Sequence, residues 1–308
     1  MTTQLFFAKI LLFGEYGIIK NSKGISIPFD SYKGNLKIGD LKNDEINKSN
    51  FEINNFYNYL HKSILKDNIN IKQFKSDLDE GLFFDSSIPK GYGIGSSGAL
   101  VAALYDRYFI KKISKDENLD SNKILELKKV FSEMESFFHG KSSGLDPLNS
   151  YLCSSILINS NNDIKVTTIP KENLISQRGF FIIDSGLSSE TQELVNFFLE
   201  LMKNNDFKII FQNEFIRVTN LCVENFLNSD FESLFKNFKI LSHFVFDNLS
   251  QTIPEGFQSM WEKGLISDNY YLKLCGSGGG GYILGFSKDL VLANKIFLKN
   301  NFKVIYRC

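Results

Sequence analysis

The chain of 308 residues has little of what marks several common protein classes. Its four cysteines, Cys153, Cys222, Cys275 and Cys308, stand far apart and form no C-x-x-C pair. They read as thiols of a reducing compartment and not as a disulfide framework. Its three histidines, His61, His139 and His243, make no H-x-x-x-H spacing, so no zinc site is expected. There is no charge excess: 35 basic residues balance 35 acidic ones. Binders of nucleic acid or membrane surfaces that work by bulk electrostatics carry a basic surplus, and this chain does not. No window approaches roughly 18 uninterrupted apolar residues, and no basic stretch leads into a long apolar run near the first residue. The reading is a soluble, cytoplasmic protein with a small-molecule partner, present as a monomer or homodimer. What the chain does have is phenylalanine, 30 residues of it, within a hydrophobic fraction of 43%. That is enough for a sizeable core.

Residues 5–13 read as a buried strand that carries one ammonium, Lys9, followed by a turn at Gly14 and Gly17. Two weaker strand-like stretches follow, then a helix around 51–66, a strand near 81–84, a glycine loop and an apolar helix from about 97 to 110. Residues 111–120 form a charged linker. Residues 121–139 form the clearest amphipathic helix, with Ile124, Leu127, Phe131, Met134 and Phe138 on one stripe. At about 100° per residue, Glu135 lies on the flank of that stripe, between Phe131 and Phe138. A half-buried carboxylate there is costly without a cation or a donor. Strand candidates at 154–158 and 164–168 precede a change of order. From about residue 179, setting aside extra helices, the sequence reads β-α-β-β-α-β, the split order of a ferredoxin-like domain. The division is placed at residues 1–177 and 178–308, and the fold class is α+β.

Two glycine-rich stretches carry the chemistry. The first, Pro89-Lys-Gly-Tyr-Gly-Ile-Gly-Ser-Ser-Gly, contains a G-x-G-x-x-G at Gly93, Gly95 and Gly98. A dinucleotide fingerprint needs a strand running into the first glycine and a second strand with an acidic residue about 20 residues on. Here Asp-Ser-Ser-Ile-Pro-Lys intervenes, and a charged segment follows the helix. A protein-kinase loop needs flanking strands with H-R-D and D-F-G downstream, and neither motif occurs. His139-Gly-Lys-Ser contains a G-K-S, but the first glycine of a Walker A loop would fall at Glu135. What remains is a glycine turn entering a helix whose first turn holds Ser96, Ser97 and Gly98, a phosphate cradle at a helix N-terminus. The second stretch, Lys273-Leu-Cys-Gly-Ser-Gly-Gly-Gly-Gly-Tyr282, has five glycines among residues 276–281. An ordinary hairpin needs one or two. Such a run fits a backbone that must lie flat beneath something bulky.

Together with Ala8-Lys-Ile-Leu-Leu-Phe-Gly-Glu-Tyr-Gly near the start, these stretches resemble the three signature motifs of the GHMP kinases, in order and over nearly the whole chain. Within that superfamily, His139-Gly-Lys-Ser-Ser-Gly-Leu-Asp146 is similar to the corresponding segment of mevalonate kinases. The resemblance implies a GHMP kinase fold, with an N-terminal domain of ribosomal S5 domain 2 type and a ferredoxin-like C-terminal domain. It also implies transfer of the ATP γ-phosphate to a hydroxyl with Mg2+ as cofactor. Mevalonate is the expected acceptor, in isoprenoid precursor synthesis, and phosphomevalonate the alternative. By the same resemblance Asp146 is the catalytic base, with Lys9 beside it. Glu135 and Ser97 hold the metal. Lys90, Gly91, Gly93, Gly95, Ser96, Ser97, Gly98, Gly278 and Gly279 bind ATP, and Glu15, Tyr16 and Asp146 face the acceptor. Pro147 is expected to hold Asp146 in an extended backbone. Three departures stand out: Lys141-Ser142 stands in place of Asn-Pro or similar, a basic residue that serves a substrate carboxylate or phosphate or faces solvent, and two others lie in the first motif. Phe7-Ala8 replace the usual Pro-Gly before the lysine, and Gly14-Glu15-Tyr16 replaces the Gly-Glu-His common in mevalonate kinases. The tyrosine is more like phosphomevalonate kinase. A ligand sensor of the same fold is disfavoured, because Lys9, Glu135 and Asp146 are all present. His61, His243 and Trp261 carry no readable role.

Overall fold

The computed structural model describes residues 4–116, 119–189 and 191–308; residues 117 and 118 of the charged linker lie outside the described residues. The chain folds into two compact units, each assembled from non-contiguous segments. The first takes residues up to Lys9, Pro28–Pro89 and Gly95–Ser154, and the second takes Ile10–Ile27, Lys90–Ile94 and Ser155–Cys308. These are packing units, different in kind from a single cut along the sequence, because strands β1 (Phe6–Phe13) and β2 (Gly24–Ile38) run from one set of segments into the other. The two weak strand-like stretches after residue 17 are this one 15-residue strand.

In the first unit the far half of β2, from Gly34 to Ile38, pairs antiparallel with β3 (Leu82–Ser86). Five helices complete it. Helix α1 (Asp44–Lys62) starts at Asn43, whose side chain accepts from the Glu45 and Ile46 amides, and it buries Ile53, Phe56 and Leu60. Helix α2 (Ile71–Asp79) was not evident from the sequence, since a nine-residue helix leaves little periodicity to read. Helices α3 (Ser96–Tyr108), α4 (Ser121–His139) and α5 (Leu145–Leu152) carry most of the candidate residues. The Asp120 side chain caps α4 by accepting from the Lys123 amide. Tyr105 of α3, Phe131 of α4 and Tyr151 of α5 meet edge to face, with ring centroids 4.9 Å apart for Tyr105–Phe131 and 5.1 Å for Tyr105–Tyr151. Each such pair contributes about 0.5–1.5 kcal/mol beyond its buried area. The three helices are thus locked to one another at their apolar faces.

In the second unit the near half of β2 pairs with β4 (Ile156–Ser160), which pairs with β5 (Asp163–Val166). A separate four-stranded antiparallel sheet follows from β6 (Gly179–Asp184), β7 (Tyr270–Leu274), β8 (Tyr282–Ser287) and β9 (Lys303–Arg307), in the order β7-β8-β6-β9. That is the strand order of a ferredoxin-like sheet, as the element order implied. Between β6 and β7 lie α6 (Thr191–Leu201), α7 (Asn205–Ile210), a π-helical stretch at Phe211–Ile216, α8 (Arg217–Leu227), α9 (Phe231–Asn248) and α10 (Gln258–Ser267). Helix α11 (Leu290–Ile296) joins β8 to β9. Phenylalanine fills this core: Phe180 lies 4.5 Å from Phe286 between centroids, and Phe238 contacts both. Trp261 is fully buried and donates its indole N–H to the Ser242 carbonyl at 3.0 Å, so it is a core residue; His61 and His243 are exposed. Among the described residues no helix is long and apolar enough to cross a membrane.

Close approach of α3 to α5 depends on Gly98, where an added Cβ would stand 2.7 Å from the Asp146 carbonyl carbon and 2.8 Å from the Pro147 nitrogen. Both neighbours are backbone or backbone-adjacent and cannot rotate away. Gly98→Ala is expected to lower stability by about 1–3 kcal/mol, read as a lower urea midpoint with an unchanged slope.

Candidate active site

Lys9 sits in the interior of β1 and is only 5% exposed. An unpaired ammonium there is prohibitively costly, and the strand supplies no acceptor side chain of its own. Its Nζ lies 3.0 Å from Asp146 Oδ1. The Asp146 side chain keeps 35% of its surface accessible, so one end of a buried ion pair opens to solvent. The expectation that Pro147 holds Asp146 in an extended backbone is overturned, because both residues lie in the first turn of α5. Proline is tolerated there since the amide it lacks has no intrahelical partner in any case. The placement also sets the Asp146 carboxylate at the positive end of that helix. Gly144, at φ 72°, begins the helix and packs against the Lys128 carbonyl and the Ser132 amide of α4.

Helix α3 begins against this pair. Its N-cap is Gly95 at φ 82°, and no side chain caps its first turn. A Cβ on Gly95 would stand 3.1 Å from Lys9 Cγ and 3.5 Å from Asp146 Oδ2. The uncapped amides at the start of α3, contributed by Ser96, Ser97 and Gly98, therefore gather beside an ammonium and a carboxylate. Unpaired amides at a helix N-terminus favour an anion, and phosphate is the usual one.

Glu135 is 3% exposed, more buried than its flank position on the α4 stripe implied. It accepts from Ser97 Oγ at 3.3 Å and from Ser142 Oγ in a short hydrogen bond. Burial, with the nearby Asp146 charge second, pushes its carboxyl up to about 8, and the two serine hydroxyls and Lys9 offset only part of this. Ser97 Oγ also lies 3.0 Å from His139 Nε2, the last residue of α4. Burial lowers the pKa of His139, opposed by Asp146, and favours the neutral ring. The sequence had not singled out His139 and Ser142. The available signal was Gly140: at φ 69° it ends α4 and folds residues 141–144 back along the helix, which brings Ser142 to Glu135. Lys141 points away and is exposed.

The group formed by Glu135, Ser97 and Ser142 offers oxygen donors only, which suits a hard cation such as Mg2+. A buried carboxylate whose desolvation is only partly offset by two hydroxyls and Lys9 is also a carboxylate that a cation would relieve. Among the described residues no group of three or more His, Cys, Asp or Glu could hold a metal ion by itself.

The remaining candidate residues belong to the second unit. Glu15 and Lys273, each nearly inaccessible, form an ion pair at 2.5 Å. The Lys273 ammonium also donates to the Leu274 carbonyl at 2.8 Å. Tyr16, 6% exposed and at φ 58°, donates its hydroxyl to the Ser277 carbonyl at 2.6 Å and packs its ring on Phe198. Lys90 is exposed, and a Cβ on Gly91 would stand 3.1 Å from Ser188 Cβ. The object beneath which the second glycine run lies flat is the protein's own backbone. Side chains at Gly93, Gly278 and Gly281 would strike the Cys275 carbonyl, the Thr252 carbonyl and the Tyr92 backbone. Gly279 faces the Leu194 side chain and donates its amide to Thr252.

Residues 55–153, which include Ser97, Glu135 and Asp146, match the family model of the GHMP kinases N terminal domain. No curated protein matches the chain by sequence. Among solved structures the chain is similar to L. major mevalonate kinase in complex with R-mevalonate, at 16% identity over 97% of this chain and 90% of that one, with a TM-score of 0.59. It is similar to Methanococcus jannaschii mevalonate kinase at 18% identity over 99% and 96%, TM-score 0.62. It is also similar to Streptococcus pneumoniae phosphomevalonate kinase in complex with phosphomevalonate and AMPPNP, at 13% identity over 99% of both chains, TM-score 0.60. At these identities the structural likeness speaks to the fold. The family model thus covers residues 55–153, and the fold over nearly the whole chain is that of these solved kinases.

The raised Glu135 carboxyl has a consequence for stability. Its folded-state value lies above the ordinary carboxylate value, so the folded protein holds that proton more tightly than the unfolded chain does. In metal-free protein, stability should therefore fall as pH rises from about 4.5 toward about 8. Glu135→Gln should flatten that slope and be more stable than the parent at pH 8.5, by on the order of a few kcal/mol. Urea denaturation in chelator at pH 5.5 and 8.5 measures both.

Proposed function

We propose that the chain is an ATP-dependent kinase of a small hydroxy acid, with mevalonate as acceptor and 5-phosphomevalonate as product. The observation that carries this reading is the Lys9–Asp146 pair set against the uncapped N-terminus of α3. Phosphoryl transfer asks a protein mainly for positioning and charge compensation, and these residues offer both. Asp146, with its accessible carboxylate, accepts the proton of the acceptor hydroxyl as that oxygen attacks the γ-phosphorus and ADP departs. Lys9 favours the ionised form of Asp146 and offsets negative charge on the phosphoryl group. The α3 amides from Ser96 to Gly98 receive phosphate oxygens. Glu135 and Ser97, steadied by Ser142 and His139, would hold Mg2+, which when bound neutralises charge on the nucleotide phosphates.

Support for the acceptor comes from two sources. The His139–Asp146 segment is similar to that of mevalonate kinases, and mevalonate kinases stand among the matched structures. Of the sequence features that leaned toward phosphomevalonate, which also include Lys20 and Lys141 as possible phosphate partners, Tyr16 loses that weight because its hydroxyl is directed at the Ser277 carbonyl.

ADP release is the test, measured with Mg2+-ATP and a panel of mevalonate, phosphomevalonate, homoserine and galactose. Turnover with mevalonate at least tenfold above the others is expected. Turnover confined to another member reassigns the acceptor, and none at all overturns the kinase reading. Asp146→Asn should retain the fold by circular dichroism and lower kcat by roughly 10²–10⁴. Near-parental kcat in that variant removes Asp146 from the role of base.

A further inference from the structure

Residues 15 and 16 grip the third glycine motif at two points. The Glu15 carboxylate takes Lys273, whose ammonium also donates to the Leu274 carbonyl, at the end of β7. The Tyr16 hydroxyl takes the Ser277 carbonyl, inside the glycine run. The intervening residues, Cys275 and Gly276, are therefore fixed from both sides by neighbours some 260 positions earlier in the chain. The backbone conformation of Tyr16 is one that a bulky residue seldom adopts, at φ 58° and ψ −40°. The phenol is almost wholly enclosed and its ring centroid lies 4.7 Å from that of Phe198. A costly backbone, a buried ring and a short hydrogen bond converge on one carbonyl oxygen.

The gripped segment supports another. Gly93 lies directly on the Cys275 carbonyl, and Gly276 would place a Cβ 3.1 Å from the Gly93 Cα. Tyr282 donates its amide to the Tyr92 carbonyl, and the rings of Tyr92 and Tyr282 meet at 5.2 Å. Residues 90–94 thus rest on residues 275–282, and the chain continues from Ile94 straight into Gly95 and the first turn of α3.

We propose that Tyr16 is a positioning residue for the nucleotide, acting through the Ser277 carbonyl to hold the turn at 275–277 on which the 90–94 loop rests, and not a residue that touches the acceptor. The proposal rests on the kinase reading above for its functional consequence, but its structural half stands without it. Glu15 is the second point of the same grip.

Tyr16→Phe removes one oxygen and keeps the ring. In the full chain, free of nucleotide, amide hydrogen exchange should quicken by roughly 3- to 10-fold in segments 274–282 and 90–94, the factor expected from one lost hydrogen bond. Exchange in α4 should be unchanged. In turnover assays KM for ATP should rise by a similar factor while KM for the acceptor stays put. Unchanged exchange in both segments overturns the proposal, as does a raised KM for the acceptor with KM for ATP unaffected. If no acceptor is phosphorylated, the kinase reading fails, and exchange alone then decides the positioning role. Should Tyr16→Phe fail to fold, Phe198→Leu, which loosens the ring while sparing the hydroxyl, is expected to quicken exchange in the same two segments. Parental exchange there would overturn the proposal equally.

Discussion

The first unit is organised around the need to keep a buried ammonium paired. Lys9 lies within a strand that otherwise reads as core, so its partner must be brought from another element at close range. That requirement fixes where α5 starts, because Asp146 stands in its first turn. It fixes how near α3 comes, because Gly95 and Gly98 are the residues that face the pair and the Asp146 backbone. It bears on Glu135 as well, since the Asp146 charge is part of what raises the carboxyl of Glu135 while Lys9 lowers it. Three ionisable groups in one low-dielectric setting cannot be adjusted singly. An arrangement of this kind is poorly suited to mere stability, as apolar residues would serve that purpose better. It suits a site that receives highly charged phosphates.

Much of this was legible in the sequence because it rests on local rules. The 3.6-residue period of α4 singled out Glu135 as a carboxylate near the core, and the structure buries it further. The β-α-β-β-α-β order after residue 179 gave the antiparallel sheet its strand order. The glycine run at 276–281 announced a close approach, although the approaching object proved to be Thr252, Leu187 and Tyr92 of the same chain. What stayed hidden depends on tertiary return. Ser142 and His139 matter only because Gly140 turns the chain back, and periodicity says nothing past the end of a helix. Asp146-Pro147 was read from the dipeptide rule alone, which a helix first turn escapes. Tyr16 sat in a recognised motif, yet the direction of its hydroxyl is settled by a residue 261 positions away.

Glycine serves two purposes here that the letters alone do not separate. At Gly95 and Gly144 a left-handed backbone starts a helix, and the ends so formed lie at the ion pair and against α4. In the run at 276–281 glycines chiefly permit backbone to press on backbone. The same residue type thus starts helices at some positions and supports a loop at others.

The separation in sequence between the partners of the second unit bears on how the chain comes to be folded. Glu15 and Lys273 are 258 residues apart, and Tyr16 and Ser277 are 261 apart. A ribosome delivers Glu15 and Tyr16 ahead of these partners by 258 and 261 residues. Until β7 emerges, a carboxylate and a phenol destined for the interior lack these two partners, so the grip on the third glycine motif cannot form before then. Contacts of such long range fold slowly and expose apolar strands in the meantime. The segment that holds Glu15 and Tyr16 therefore waits longest for its partners, and the arrival of β7 decides when that wait ends.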